Sequence, residues 1–154
     1  MFTEITLQKN ILKMKSVLID TNIILDFFVA RVPFDKEAAE IFRLTFNKKI
    51  RGYVSALSYA NSYYYIKKLA GKKTSIELLK NLKKIVTTID LDENILEAAL
   101  NSDFTNFEDA LQYHSAKSVA GIEIILTRNT RDFSKSKLFV YTPVQFLNQY
   151  FSES

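Results

Sequence analysis

The stretch SVLIDTNIILDFF, residues 16–28, decides the fold class, because its first apolar run ends on a carboxylate. Val17, Leu18 and Ile19 predict a buried strand, and Asp20 follows at the carboxyl end of that strand. An ionised carboxylate held away from water is costly unless it is paired or coordinated. Asp20 is therefore either the N-cap of the next helix or part of a ligand site at the end of a parallel strand.

Length, composition and cysteine content define the broad class of the protein. The chain has 154 residues, of which 47% are hydrophobic and 25% charged, a balance typical of one soluble domain. We predict a single domain over residues 1–154, with residues 1–15 as a candidate N-terminal arm. The absence of cysteine excludes disulfides and thiolate zinc sites. No apolar run is long enough to span a membrane, and the N-terminus lacks a signal-peptide core, so we expect a cytoplasmic protein.

Strand-like and helical patterns alternate along the chain. Strands are predicted where apolar and β-branched residues run together, at residues 16–20, 53–56, 85–89, 122–127 and 138–141. Helical spacing of apolar residues fills the intervals between them. We take Gly52 as the separator before the second strand, Gly71 as a helix end, and Thr74 with Glu77 as a capping box. The alternation predicts a parallel sheet that helices cover on both faces.

Two further acids fall at positions where they could meet Asp20. The segment FEDALQYHSA places Asp109 near a helix start, and EIILTRNTRDF runs from a strand into Thr127, Asn129 and Asp132. If that strand lies beside the first strand, its terminal polar groups are level with Asp20 at one edge of the sheet. Each acid alone has a simpler explanation: Asp109 suits the positive end of a helix dipole, and Asp132 suits a turn.

A group of carboxylates repels itself unless a cation lies among its members. Hard oxygen ligands select Mg²⁺ or Mn²⁺, and such an ion can turn water into hydroxide and hold a scissile phosphate. Asp20, Asp109 and Asp132 are therefore candidate metal ligands and catalytic residues. The other ionisable neighbours are expected at the surface or in packing roles: Asp26, Glu108 and His114, the only histidine.

Positive charge is concentrated in one part of the chain. Between Lys48 and Lys84 there are ten lysines and arginines and one acid, so this part carries +9 and the rest −5. A basic surface of this kind suits a polyanion such as nucleic acid, although a solvated lysine-rich helix would give the same pattern. The candidate nucleic-acid contacts are Lys67, Lys68, Lys72 and Lys73.

Four segments follow one another over roughly residues 16–147: VLIDTNIILDFF, VSALSYANSYYYIKK, FEDALQYHSAKSVAGIEIILTRNTRDF and VYTPVQFL. Together they resemble the PIN-domain ribonucleases, in particular the small bacterial VapC-like toxins. The resemblance implies a PIN-like three-layer α/β/α fold with a central parallel sheet of about five strands. It also implies an endoribonuclease that depends on Mg²⁺ or Mn²⁺, an RNA substrate, an antitoxin protein as partner, and a homodimer.

The resemblance assigns roles to individual residues. Asp20 matches the first family acid, Asp109 the third, and Asp132 the acid of the closing motif. Asn22 and Thr127 match polar residues that orient the metal ligands. Asn129 falls where some members carry another acid.

One position departs from the family pattern. Many members carry a glutamate in the first turn of the helix after the second strand, where this chain has Asn61. An amide can offer its oxygen to a metal or a bound water but carries no charge, so metal affinity should be weaker. Two interpretations stay open. The site holds one ion and recruits a second with the substrate phosphate, or the protein is a catalytically weak PIN-like module that binds RNA or protein.

A receiver-like domain would also gather acids around Mg²⁺ at strand ends. Such domains place an adjacent pair of acids at the first strand end and a lysine at a late one. Here Asp20 is followed by Thr21, and the late strand ends in Thr127 and Arg128. The sequence therefore favours the PIN-like interpretation.

Overall fold

The computed structural model describes residues 14–152, and its centre is one sheet of five strands in the order β3-β2-β1-β4-β5. All four strand pairings are parallel, which confirms the predicted α/β fold with a parallel sheet. β1 lies in the middle because its apolar residues are buried on both faces. The strands are Lys15–Ile19 (β1), Ile50–Ser55 (β2), Thr87–Ile89 (β3), Ile122–Leu126 (β4) and Phe139–Tyr141 (β5).

Helices cover both faces of the sheet and give it three layers. The helices are Thr21–Phe28 (α1), Asp35–Phe46 (α2), Ala56–Ile85 (α3), Glu93–Leu100 (α4), Phe107–Lys117 (α5) and Pro143–Tyr150 (α6). Val17 and Ile19 face a core shared with α1, α2, α3 and α6, whereas Leu18 faces a second core shared with α4 and α5. The period-2 alternation of β1 thus separates the two cores, and the predicted α/β/α layering is confirmed.

The switch point of the sheet, where the order of strands changes direction, lies between the neighbouring strands β1 and β4. β2 and β3 lie on one side of β1, and β4 and β5 lie on the other. The backbone N–H of Asp20 donates to the carbonyl of Leu126 at 2.9 Å, so the carboxyl ends of β1 and β4 meet. Open α/β sheets bind ligands in the crevice at such a switch point.

Three local predictions were wrong. Gly52 lies inside β2 instead of before it, and this strand position requires a glycine because a Cβ there would be 2.8 Å from Cγ2 of Thr45. The third strand begins at Thr87 because α3 continues to residue 85. The first helical segment of α3 does end at Gly71 (φ 85°), as predicted, but a second segment follows directly, so Thr74 lies within that segment and does not cap it.

The predicted N-terminal arm, residues 1–15, lies mostly outside the described residues. Of that segment, Met14 precedes the sheet and Lys15 already begins β1. Within residues 14–152, none of the helices has the length and apolar character needed to cross a membrane.

Candidate active site

Asp20 is the N-cap of α1 and lies at the carboxyl end of β1. One carboxylate oxygen accepts the N–H of Thr21 at 2.8 Å, and the other accepts the hydroxyl of Thr127 at 2.8 Å. Burial raises the pKa of Asp20, and the hydrogen bonds from Thr127 and Thr21 partly oppose this shift. Asp20 therefore caps the helix and also faces the switch point, so the two roles considered for it are compatible.

Asn22 links the start of α1 to the turn after β4. Its Nδ2 donates to Thr127 Oγ1 at 3.2 Å and to Asp20 at 3.4 Å, and its Oδ1 accepts the backbone N–H of Arg128 at 3.2 Å. The backbone N–H of Asn129 donates to the same Thr127 hydroxyl at 3.1 Å. Asn22 and Thr127 thus fix the Asp20 carboxylate from two chain segments that are far apart in sequence.

Asp26, one turn later on α1, is buried, so its predicted surface position was wrong. Its side chain is only 1% exposed, and both of its oxygens accept from the guanidinium of Arg128, at 2.6 and 3.0 Å. Arg31 lies 3.8 Å away on the same carboxylate. The pairing explains how a carboxylate can be buried here without a metal.

Gln112 is the main site residue to which the sequence analysis gave no role, although its spacing places it near the helix face of Asp109. It is buried on α5, where its Nε2 donates to Ser58 at 2.7 Å and to Asp20 at 3.3 Å, and its Oε1 accepts from Ser55 at 2.7 Å. The signal was its spacing, because a residue three positions after Asp109 shares the helix face of that acid. Nothing in the sequence indicated its two serine partners.

A pocket of about 310 Å³ opens at this edge of the sheet. Its described lining residues are Asp20, Thr21, Asn22, Leu25, Asn61, Tyr65, Glu108, Asp109, Gln112 and Asn129. Five of the residues singled out from the sequence are therefore brought together. Thr127 and Asp132 are not among these lining residues: Thr127 is buried beneath Asp20, and Asp132 is exposed on the 3₁₀ turn Thr130–Phe133.

Negative charge accumulates around the pocket. Burial and, after it in order of size, the charges of Asp20, Asp132 and Glu108 together raise the pKa of Asp109 to about 7. Asp132 and Glu108 also raise the pKa of Asp20. Asp132 therefore acts on the pocket through its charge, although its side chain does not line the pocket.

The donor set of the pocket suits a hard cation. Carboxylate and amide oxygens line it, and these are the ligands that Mg²⁺ and Mn²⁺ prefer. Among residues 14–152, however, no group of three or more acidic, histidine or cysteine side chains is placed to hold an ion by itself. Mg²⁺ keeps several waters and often binds through one or two carboxylates and substrate phosphates, so the residues fit a hydrated ion completed by substrate.

The predicted nucleic-acid contacts lie on α3 outside the pocket. Lys67, Lys68, Lys72 and Lys73 are all exposed, and the four are not among the described lining residues. The Nζ of Lys68 is 4.7 Å from the ring centroid of Tyr64. The same helix contributes Asn61 and Tyr65 to the pocket, so it connects the lysines to the acidic site.

The five-stranded parallel sheet and the acidic pocket at its switch point define an α/β protein with a candidate ligand site at the carboxyl ends of its strands. The PIN-domain family model matches residues 16–131, so the chain belongs to the PIN-domain family. No curated protein matches the chain. Among solved structures, a toxin–antitoxin complex from Klebsiella pneumoniae is 24% identical, with a TM-score of 0.63 over 82% of this chain and 97% of that one.

Two further solved structures share the fold. VapBC2 from Rickettsia felis, bound to a DNA fragment from the promoter, is 15% identical, with a TM-score of 0.60 over 82% of this chain and 98% of that one. The sarcin–ricin loop cleaving toxin VapC20 of Mycobacterium tuberculosis is 16% identical, with a TM-score of 0.56 over 71% of this chain and 86% of that one. The fold is therefore that of VapC-type PIN proteins, as the sequence motifs indicated.

Proposed function

We propose that the protein is an endoribonuclease dependent on Mg²⁺ or Mn²⁺ and the toxin of a toxin–antitoxin pair. The observation that carries the proposal is the meeting of Asp20 and Asp109 in one pocket, with the pKa of Asp109 raised to about 7. Such a strongly perturbed carboxyl in a cleft is typical of a functional site. Membership of the PIN-domain family and likeness to a toxin that cleaves the sarcin–ricin loop support RNA as the substrate class.

The chain would prepare the site before substrate arrives. Thr127, the Thr21 N–H and Gln112 hold the Asp20 carboxylate in one orientation, so it need not reorganise when a phosphate binds. A bound divalent ion would supply a water of lowered pKa and positive charge for the scissile phosphate. Asp20 and Asp109 would hold that ion, and Asp132 would add negative charge from outside the pocket.

Helix α3 offers a path for the RNA strand. Asn61, Tyr65 and Lys68 are spaced by four and three residues, so they share one face of the helix. A strand that runs from the pocket along this face would meet Lys68, with Lys67 to one side of it, and would then reach Lys72 and Lys73 beyond the helical break at Gly71. Lysines would bind the phosphates, and tyrosines would stack on unpaired bases.

The proposal also includes partners and a place of action. Two of the solved relatives are toxin–antitoxin complexes, which supports an antitoxin partner that blocks this pocket. A homodimer is proposed because large apolar side chains on and beside α4 are exposed: Leu91, Leu96, Leu100 and Phe107. We place the activity in the cytoplasm, where the RNA substrate is found.

The test compares metal binding and RNA cleavage in the same buffers. Mn²⁺ titration by calorimetry and cleavage of labelled single-stranded RNA are measured for the wild type, Asp109→Asn and Asp35→Asn. Asp35 is the matched control because it is also a first-turn aspartate, on α2. Binding and cleavage should both be lost in Asp109→Asn and retained in Asp35→Asn. Full activity of Asp109→Asn, or no metal binding by the wild type, would contradict the proposal.

Asn61 favours a second candidate function, a catalytically weak module that binds RNA or protein. Its uncharged amide lines the pocket at the position where the family resemblance implies a glutamate. The variant Asn61→Glu separates the two functions. A large gain in Mn²⁺ affinity and cleavage would favour the weak module, whereas no gain would favour the active ribonuclease.

A further inference from the structure

Another pocket, of about 250 Å³, lies at the amino ends of β1, β2 and β3, on the opposite edge of the sheet from the acidic pocket. Its described lining residues include Met14, Lys48, Arg51 and Ile85, and no acidic side chain is among them. We propose that this pocket and the cations around it bind the phosphate backbone of a folded RNA whose cleaved strand lies in the acidic pocket. The inference rests on the proposed ribonuclease function and names the class of its substrate.

Four exposed cations at this pocket come from three segments of the chain, and we call them the basic edge. Lys48 and Lys49 follow α2, Arg51 lies in β2, and Lys84 is in the last turn of α3. Lys84 directly precedes the lining residue Ile85. The segments meet because β2 pairs in parallel with both β1 and β3, so the three strands begin side by side.

The charge of the basic edge is not neutralised within the described chain. Among residues 14–152, none of the four cations forms an ion pair with an acid. Clustered like charges repel one another in the folded protein, and a polyanion relieves that repulsion. Lysines and arginines that contact phosphates also release the counterions of the nucleic acid, which adds affinity. A phosphate backbone therefore complements this surface.

Lys48 has a backbone conformation that favours glycine. Its φ is 58°, and it follows Asn47, the residue that caps the end of α2. The N–H of Lys48 donates to the carbonyl of Thr45 at 3.1 Å, and the N–H of Lys49 donates to that of Leu44 at 2.9 Å. This is the Schellman pattern, in which glycine is the usual residue at the position of Lys48. The chain keeps a cation where glycine would be less strained, which supports a function for that side chain.

The length of the sheet separates the basic edge from the place of cleavage. β2 has six residues, so its two ends are about 17 Å apart. Arg51 lies at the amino end of β2, whereas Asn61 and Tyr65, which line the acidic pocket, follow its carboxyl end. A short single strand in the acidic pocket would not reach the basic edge. A double-stranded stem is recognised largely through its shape and backbone, so a stem beside the cleaved strand suits this second surface.

The experiment measures the binding of two labelled RNAs by fluorescence anisotropy, in EDTA to prevent cleavage. The RNAs are a single strand of about eight nucleotides and a stem–loop of about 30 nucleotides. Lys48→Gly/Arg51→Gln should weaken stem–loop binding about tenfold and lower the salt slope of log K by about two, since two phosphate contacts are lost. Its affinity for the single strand should stay within about twofold of the wild type.

The matched control is Lys117→Gln/Lys137→Gln. It removes the same charge from two exposed lysines that precede β4 and β5, on the other side of β1. The control should bind both RNAs within about twofold of the wild type, because its lysines lie away from the basic edge. A DNA stem–loop is measured as a competitor. DNA bound more tightly than RNA, with the same loss in Lys48→Gly/Arg51→Gln, would assign the basic edge to DNA and overturn the proposal.

Lys48→Gly alone separates RNA binding from folding. Because glycine suits the φ of this position, the Tm should stay unchanged or rise by up to about 3 °C, while stem–loop binding weakens about threefold. Cleavage of RNA by the wild type with Mn²⁺ is followed in parallel.

Two further outcomes distinguish this inference from the proposed function. Equal stem–loop affinity of the test and control double variants, with a wild type that cleaves RNA, would overturn the role of the basic edge and leave the proposed function intact. A wild type that neither binds the stem–loop nor cleaves RNA would overturn both.

Discussion

Asp26 and Arg128 form a bidentate ion pair, with nitrogen–oxygen distances of 2.6 and 3.0 Å. The pair joins α1 to the turn after β4. The guanidinium carbon also lies 4.1 Å from the ring centroid of Phe34, so this group is packed as well as paired. The two segments that the pair joins also carry Asp20 and Thr127. The ion pair therefore holds the start of α1, with Asp20, against the turn after β4, with Thr127, from outside the pocket.

Replacing Arg128 by methionine should destabilise the protein strongly, because it leaves the buried carboxylate of Asp26 without its main partner. We expect a loss of about 3 kcal/mol in the free energy of unfolding, measured by urea denaturation. Arg128→Lys should lose part of this, because an ammonium cannot make the two parallel contacts. The control is Arg131→Met at a nearby exposed arginine. Equal stability of the two methionine variants would contradict the structural role of the pair.

The sequence predicts the centre of this fold better than its periphery. The apolar residues of β1 and β4 are buried on both faces of the sheet, and such short apolar segments have few alternative explanations. β3 was predicted two residues too early because Ile85 and Val86 are apolar and β-branched, and these properties suit a strand as well as the buried end of α3. Gly52 was taken for a separator because close packing against Thr45, which makes glycine necessary, involves the preceding helix and is not visible in the sequence.

The candidate site was likewise predicted only in part. Asp20, Asp109 and Asn129 were placed near one another because strand ends and helix starts meet at one edge of a parallel sheet, whereas Asn22 and Asn61 were assigned to the site from the family resemblance. The burial of Asp26 depends on Arg128, which is 102 residues away, and that distance hides the pairing in the sequence. The catalytic and metal-binding roles stay predictions.

Replacing Gln112 by leucine should affect both stability and activity. The side chain is 2% exposed, and leucine would leave the Ser55 and Ser58 hydroxyls without their partner, so we expect a loss of about 2 kcal/mol in unfolding free energy. Asp20 would lose one of its donors, so kcat for RNA cleavage should fall about tenfold with little change in KM. Gln149→Leu, at an exposed glutamine of α6, should change neither quantity.

The same measurements can contradict this role for Gln112. A variant that loses stability but keeps the wild-type kcat would show that the amide supports the fold and not the orientation of Asp20. A rise in KM alone would assign it to substrate binding.

Asp109 should make the metal-free protein less stable at high pH. Its pKa is about 7 in the folded protein, compared with 3.8 for an ordinary aspartate, which stands for the unfolded chain. Between these two pH values the folded form therefore holds a proton that the unfolded form has released. Stability is therefore lost as pH rises from about 4 to about 7 and stays low above that. Asp109→Asn removes this loss, and solvent screening of the half-buried group limits the gain at about pH 8 to about 1 kcal/mol.

Thermal unfolding at two pH values checks this prediction. Without metal, Asp109→Asn should unfold a few degrees above the wild type at about pH 8 and show little difference at about pH 4. Added Mn²⁺ should raise the Tm of the wild type but not of the variant, because only the wild type retains the carboxylate. A lower Tm for Asp109→Asn at about pH 8 would mean that the carboxylate is stabilised by a partner in the metal-free protein.

Tyr65 should contribute to RNA binding more than its neighbour Tyr64. Tyr65 is 42% exposed, lines the acidic pocket, and has the guanidinium carbon of Arg31 4.5 Å from its ring centroid. Tyr64 is 67% exposed but is not among the described residues of the pocket. A ring beside the scissile phosphate can stack on the flanking unpaired base, which is typically a contribution of about 1–3 kcal/mol.

The kinetic test uses single-stranded RNA and three variants. Tyr65→Ala should lower kcat/KM about tenfold, mainly through KM, whereas Tyr65→Phe should stay within about twofold because stacking needs the ring and not the hydroxyl. Tyr64→Ala is the matched control and should behave like the wild type. Since Tyr64 and Tyr65 are consecutive on α3, equal losses in both alanine variants would assign the effect to the general aromatic surface of the helix. A loss confined to Tyr65 would place the base next to the cleaved bond.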